Sequence, residues 1–173
     1  GRTFNLPRHG FARDMDFEVV EKSDTSVTYT LESSPETREV YPYDFELDVT
    51  YILNDDAISV IWSVKNTGKQ EMHFQIGAHP AFNLPGISEG EPIKGVLRFD
   101  NTDEIDRIYG NHEGCITDDR YPLPTLEGGL LPFNEETFKD DAIVIDHCQL
   151  HSIEILDPQD ARPVVTVKFN TPC

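Results

Sequence analysis

The sequence predicts an all-β protein whose strands are antiparallel and stack as a sandwich, and three observations lead to this prediction. Apolar and polar residues alternate with a period of two through most of the chain, a pattern typical of strands with one buried face. No segment carries a sustained apolar stripe at the helical period. Twelve prolines and eleven glycines separate the alternating segments, and many short strands between such turns favour an antiparallel sandwich or barrel.

The strands can be assigned in order along the chain. Short alternating segments at 17–19 and 27–31 come first. The clearest pair, 45–51 and 58–64, is separated by the turn residues Asn54-Asp55-Asp56 and predicts a β-hairpin. Further strands are predicted at 74–76, 96–99, 142–145, 152–156 and 164–169.

Two stretches interrupt this alternation and are predicted to be loops. They are residues 83–92 and 109–136, both rich in proline and glycine. Long loops on a rigid scaffold commonly shape binding clefts. The chain has no internal repeat and no low-complexity linker, so we expect one domain over residues 1–173. Both ends are abrupt next to strand-like segments, and we expect the chain to lack residues on both sides.

Composition narrows the range of partners. The formal net charge of −18 comes from 32 acidic against 14 basic side chains. Such a field repels phosphate backbones, so we expect neither nucleic-acid nor anionic-membrane partners. No apolar run approaches the ~20 residues that span a bilayer. The three cysteines, Cys115, Cys148 and Cys173, show no metal-binding spacing, which predicts free thiols and a cytoplasmic protein.

The first segment whose residues could bind a ligand or take part in catalysis is Leu6-Pro7-Arg8-His9-Gly10-Phe11-Ala12-Arg13-Asp14. It places a histidine and an arginine around a glycine, which permits backbone geometries that other residues resist. His9 can donate to or accept from a sugar oxygen, and Arg13 can donate several hydrogen bonds. The alternative is a polar turn with solvated side chains.

The second segment is Gly77-Ala78-His79-Pro80-Ala81-Phe82-Asn83. We expect His79 at the exit of a strand, held in an extended conformation by Pro80. Histidine titrates near neutrality, which suits a general acid that protonates a ring oxygen. The alternative is a core histidine at a strand end.

Together these segments resemble the aldose 1-epimerases, in the galactose mutarotase-like branch. Residues 41–53 and 60–66 are similar to the paired strands that the family places before its His-Pro motif, and residues 138–144 resemble its aspartate-bearing segment. The resemblance covers nearly the whole chain. It implies an antiparallel β-supersandwich, here only partly present.

The resemblance also implies a reaction and a set of site residues. Mutarotases interconvert the α and β anomers of an aldohexose by opening the ring. By position, His79 matches the general acid and His9 the second histidine of the catalytic pair. Asp141, Arg13 and Asn83 are expected to bind the small-molecule sugar. The family needs no metal or organic cofactor for this acid–base chemistry.

The sequence departs from the family pattern in one important respect. The family's general base is a glutamate near the C-terminus, and no residue before Cys173 matches it. This leaves open a non-catalytic carbohydrate-binding protein of the same fold. A hexose-6-phosphate 1-epimerase is also open, although Arg8 and Arg13 would supply only part of the basic cluster it needs. Unpaired sheet edges in a partial fold would favour a homo-oligomer.

Overall fold

The computed structural model describes residues 3–7, 9–84, 86–110, 116–139 and 142–170. All regular sheets in this part of the chain are antiparallel, which confirms the all-β prediction. The strands are β1 (Glu18–Lys22), β2 (Ser26–Glu32), β3 (Phe45–Asn54), β4 (Ala57–Asn66), β5 (Lys94–Phe99), β6 (Ile105–Gly110), β7 (Ile116–Leu123), β8 (Leu130–Asn134), β9 (Ser152–Leu156) and β10 (Pro163–Lys168). The chain divides into two compact units, residues 1–78 and 79–173. The single domain expected over residues 1–173 stays a prediction.

The first unit contains a four-stranded sheet in the order β1-β2-β3-β4. The predicted hairpin is its centre, with Leu47 opposite Val64 and Asn54 opposite Ala57 across the turn. The turn residue Asp55 has a φ of 48°, a left-handed conformation that aspartate tolerates better than most residues.

One face of this sheet is apolar but only partly covered. Leu31, Phe45 and Leu47 are buried at one end, where residues of the preceding segment pack against them. Towards the β3–β4 turn, Leu53 is 55% and Ile58 67% exposed. The pattern of alternating residues therefore predicts which face is apolar, whereas the extent of its burial depends on what packs against it.

A short helix, α1 (Pro35–Val40), lies between β2 and β3. Ser34 caps it by accepting from the Thr37 backbone N–H, while the Thr37 side chain accepts from the backbone N–H of Ser34. Pro35 occupies the first turn, where its missing N–H has no cost. Six residues are too few to show a helical period, which is why the apolar pattern did not predict this helix.

The second unit is built on a four-stranded sheet in the order β10-β9-β5-β8, and β6 and β7 form a separate hairpin. Its core contains the buried residues Phe99, Ile105, Leu123, Leu131 and Leu150. Ile105 and Leu123 are paired across the hairpin. The hairpin is therefore anchored to the same core as the sheet.

Three sequence-based assignments are wrong. No strand forms at 74–76; the described residues between β4 and β5 have no regular structure, and Phe74 and Ile76 are 51% and 41% exposed. Residues 142–145 form only an isolated bridge between Val144 and Ile108. The predicted loop 109–136 instead contains β7 and β8. Alternation marks two faces, but a strand also needs a neighbour to accept its hydrogen bonds.

Two short 3-10 helices, Ala12–Asp14 and Glu135–Phe138, complete the described elements. Asn134 caps the second of them by accepting from the Thr137 backbone N–H. Among the residues that can be described, no helix combines the length and the apolar character needed to cross a membrane.

Candidate functional site

His9 lies in a tight turn of the first unit. The Gly10 N–H donates to the Pro7 carbonyl oxygen at 3.0 Å, and His9 and Gly10 have φ values of 69° and 72°. Glycine adopts this conformation readily, whereas for histidine it is strained by roughly 1–2 kcal/mol. The imidazole of His9 is exposed, so the turn presents it to solvent.

Phe11 holds this turn against the first sheet. Its ring centroid lies 5.8 Å from that of Tyr41 and 5.8 Å from that of Phe45, both in tilted geometry. Phe45 is a buried residue of the core. The turn that carries His9 is therefore attached to the rigid part of its unit.

Arg13 follows in the 3-10 helix Ala12–Asp14. Its Nε lies 3.5 Å from Asp14 Oδ1, and both side chains are exposed. Exposed pairs between neighbouring residues contribute little free energy. The Arg13 guanidinium therefore remains available to a polar ligand.

The segment leading to His79 is fixed at its start by side chains. The Tyr41 hydroxyl donates to the His73 carbonyl oxygen at 2.7 Å, and Gln70 Nε2 donates to the Pro42 carbonyl oxygen at 3.1 Å. Burial, and then the charge of nearby Tyr43, raise the pKa of Tyr41. The hydroxyl thus stays protonated and able to donate at neutral pH.

His79 and Asn83 lie beyond this anchored start, and both are exposed. His79 is the first residue of the second unit. The strand expected to deliver it is absent from the described structure, so the position of His79 depends on its backbone neighbours and on Pro80. His9 and Arg13 share one segment of the first unit, and His79 and Asn83 share one segment of the second.

Asp141 and Arg8 lie outside the described residues. The chain that follows Asp141 is well held within the second unit. Arg120 Nη1 and Nη2 donate to Asp146 Oδ1 and Oδ2 at 2.6 and 2.8 Å. Gln149 Nε2 donates to the Asp106 carbonyl oxygen at 2.9 Å, and its Oε1 accepts from the Asp106 N–H at 2.7 Å.

The ion pair also favours the charged forms of both of its members. The hydrogen bonds from Arg120 hold the pKa of Asp146 below its usual value, and the bonds to Asp146 raise the pKa of Arg120. Sequence reasoning missed this pair because its members are 26 positions apart. No local motif marks such a contact.

Sequence reasoning also missed a cluster on the β6–β7 hairpin. The guanidinium carbon of Arg107 lies 4.4 Å from the centre of the Tyr109 ring, and Tyr109 lies 5.1 Å from Tyr121 in edge-to-face geometry. The alternating pattern of residues 105–109 could have indicated this cluster, because in a strand Ile105, Arg107 and Tyr109 lie on the same face.

Cys148 is disulfide-bonded, so the prediction of free thiols is wrong for this residue. The spacing of the cysteines did not reveal the bond, because pairing depends on proximity in the fold. The cytoplasmic location inferred from free thiols loses that support. Within the described ranges, no group of three His, Cys, Asp or Glu residues is placed to hold a metal ion.

Comparison with known proteins gives a consistent family. The family model for aldose 1-epimerase matches residues 3–172. Protein LacX from Lactococcus lactis subsp. lactis is 33% identical over 153 residues, which cover 87% of this chain and 51% of LacX. A putative glucose-6-phosphate 1-epimerase from Salmonella typhimurium is 25% identical over 128 residues, covering 64% of this chain and 43% of that protein.

Two solved structures share the fold. A galactose mutarotase related enzyme from Lactobacillus acidophilus superimposes with a TM-score of 0.80 at 30% identity, covering 92% of this chain and 53% of that one. A galactose mutarotase-like protein from Lactobacillus casei gives 0.81 at 30% identity, covering 91% and 54%. The chain thus spans about half the length of the relatives it matches. With a family model matched along nearly its whole length, the chain belongs to the aldose 1-epimerase family and has a galactose mutarotase-like fold.

Proposed function

We propose that the protein is an aldose 1-epimerase that interconverts the α and β anomers of an aldohexose, with His79 as the general acid. Membership of the aldose 1-epimerase family supports the reaction. The exposed His79, followed by Pro80, supports the choice of acid. Histidine is the side chain that most often acts as a general acid or base in catalysis.

The proposed reaction opens and closes one ring bond. A general base removes the proton from the C1 hydroxyl, the C1–O5 bond breaks, and His79 delivers a proton to O5. The open aldehyde rotates about its C1–C2 bond, and O5 then attacks the other face of C1. The protons return by the reverse transfers, so no atom or electron is gained or lost. No glutamate in this sequence matches the family's base, so we assign none.

The remaining residues are proposed to bind the sugar. His9 would hydrogen-bond near the ring oxygen, and Arg13, Asn83 and Asp141 would bind hydroxyl groups. His9, Arg13 and Asn83 are exposed and carry hydrogen-bonding groups of the required kinds.

The observation that carries this proposal most strongly is the aldose 1-epimerase family model, which matches residues 3–172, and the backbone of His9 adds to it. With a φ of 69°, His9 holds a backbone conformation that is unfavourable for a residue with a side chain, and the anchored turn keeps it there. Such conformations concentrate at ligand-binding and catalytic positions. Asp55, His147, Cys148 and Ala161 also have positive φ values, so the conformation of His9 supports a role in the site only together with the family match.

The direct test is the rate of anomer exchange in the full gene product, measured by saturation-transfer NMR with glucose and galactose. We expect exchange well above the spontaneous rate, reduced in His9→Ala. A protein that binds either sugar without accelerating exchange would instead be the carbohydrate-binding alternative.

One observation favours a second candidate, a hexose-6-phosphate 1-epimerase. The chain is 25% identical over 128 residues to the Salmonella typhimurium protein whose name carries that putative activity. Anomer exchange of glucose 6-phosphate, compared with that of glucose, separates the two substrates. A preference for the phosphorylated sugar of more than about tenfold, or 1.4 kcal/mol, would favour this candidate.

A further inference from the structure

Arg107 differs from the other arginines in the part of the chain that the structure describes. The others each lie within 4.0 Å of a carboxylate: Arg13, Arg38, Arg98, Arg120 and Arg162. Among the described residues, Arg107 has no such partner. In a chain with a net charge of −18, an arginine without a carboxylate partner is unexpected on composition alone.

Aromatic rings hold the Arg107 side chain in place. The guanidinium carbon lies 4.4 Å from the centre of the Tyr109 ring, close enough for a cation–π contact. Arg107 is opposite Tyr121 on the neighbouring strand, and the Tyr109 and Tyr121 rings meet at 66° with centroids 5.1 Å apart. We call these three residues the Arg107 platform.

The platform stands on a rigid base. Ile105 and Leu123 lie on the same face of the hairpin and are 1% and 6% exposed. Because the base is buried in the core, the guanidinium is positioned before any ligand arrives. Less conformational entropy is then lost when a ligand binds.

One hydrogen-bond donor of the platform has no acceptor among the described residues. Nε of Arg107 is buried and has no hydrogen-bond partner in the described structure. Buried donors without an acceptor are rare in native proteins and call for an explanation. Tyr121, by contrast, is 45% exposed and offers an aromatic surface to solvent.

We propose that the Arg107 platform binds an organic oxyanion, a phosphoryl or carboxylate group attached to a ring. The guanidinium fork matches the geometry of either group. The exposed ring of Tyr121 provides an apolar surface on which a sugar ring can stack. The choice of a sugar as that ring rests on the proposed function, whereas the oxyanion follows from Arg107 itself.

Titration calorimetry on the full gene product tests this with four probes. Glucose 6-phosphate and glucuronate carry the anion and the ring, inorganic phosphate carries only the anion, and glucose carries only the ring. We expect one or both of the first pair to bind, and whichever binds identifies the oxyanion. Their affinity should exceed that of inorganic phosphate and of glucose. Phosphate binding as tightly as glucose 6-phosphate would overturn the role of the ring.

Variants locate the binding. Arg107→Gln should weaken binding of the anionic sugar by about tenfold or more, because one charge-assisted contact is lost. Tyr121→Leu keeps the guanidinium but removes the ring, so it should weaken binding of the sugar anion more than binding of inorganic phosphate. Arg162→Gln is the matched control, since Arg162 is exposed and already paired with Asp160. Circular dichroism checks that each variant is folded.

Two results would overturn the proposal. One is the absence of saturable binding of either anionic sugar by the folded protein. The other is binding that survives Arg107→Gln but is lost in His79→Asn, which would put the ligand in the proposed catalytic site. Because binding is measured without turnover, failure of anomer exchange alone leaves the platform intact and counts only against the proposed function.

Discussion

Arg120 and Asp146 join β7 to the segment that follows Asp141 through two parallel hydrogen bonds of 2.6 and 2.8 Å. In this arrangement both nitrogens of the guanidinium fork meet both oxygens of the carboxylate, the geometry that distinguishes arginine from lysine. The pair holds a chain segment that has little regular structure, between the bridge at Val144 and the buried Leu150. We therefore expect this pair to contribute more to the stability of the fold than an ordinary surface ion pair.

The first prediction concerns acid stability. Hydrogen bonds from Arg120 lower the pKa of Asp146 from its usual 3.8 in the folded protein. The pair therefore stabilises the fold above about pH 3.8, and this stabilisation is lost as the pH falls through the lower folded-state pKa. Urea unfolding should show Asp146→Asn less stable than wild type at pH 7. This difference in stability should shrink as the pH falls below about 3.8. Asp160→Asn, at an exposed pair, should show a much smaller difference; equal effects would contradict this account.

The second prediction concerns the contact between Tyr41 and His73. Tyr41→Phe keeps the ring among Phe11 and Phe45 but leaves the His73 carbonyl oxygen without its 2.7 Å donor. We expect a loss of about 1 kcal/mol in the free energy of unfolding. Tyr43→Phe is the control, because no side-chain hydrogen bond is described for Tyr43. Equal stability of Tyr41→Phe and wild type in chemical denaturation would contradict the role of this bond.

The third prediction compares two neighbouring glycines. Gly128 and Gly129 both have positive φ values, 79° and 73°. A Cβ at Gly129 would lie 2.7 Å from the Phe99 carbonyl oxygen, whereas one at Gly128 would meet nothing within 4 Å. Gly128→Ala should cost only the backbone penalty of about 1–2 kcal/mol. Gly129→Ala should cost clearly more, and thermal unfolding that ranks the two variants the other way would refute the close approach.

The fourth prediction separates strain from function at His9. Glycine accommodates a φ of 69° without strain, whereas alanine does not. We expect His9→Gly to be more stable than His9→Ala by about 1 kcal/mol, while both lose the imidazole and exchange anomers more slowly than wild type. Paired measurements of unfolding and exchange decide this. If both variants exchange at the wild-type rate, His9 has no part in catalysis.

The sequence was sufficient to predict the β3–β4 hairpin, because alternation from Phe45 to Val64 fixes both the faces and the turn. It was not sufficient for 74–76, where alternation is present but no neighbouring strand is described. It also missed β7, whose polar residues at 118–120 obscure the alternation. Local pattern reports which residues prefer one face, and tertiary contacts decide whether a strand forms.

For the candidate site, the sequence identified the types of residue and their order along the chain. It did not identify the contacts that hold these residues in place. The motifs around His9 and His79 were recognisable because neighbouring residues in the chain carry them. The ring contacts of Phe11, the hydrogen bond from Tyr41 and the contact between the Tyr109 and Tyr121 rings join residues distant in sequence or on neighbouring strands. No motif encodes these contacts, so they became visible only in the fold.

The central claim is that His79 is the general acid, and its most direct test is the anomer exchange rate of His79→Asn in the full gene product. His73→Asn is the matched control, because His73 is also exposed and contributes only its backbone carbonyl to a described contact. We predict that His79→Asn lowers the rate by about 10²–10⁴-fold, while His73→Asn leaves it unchanged. Exchange at the wild-type rate in a folded His79→Asn variant would contradict the assignment.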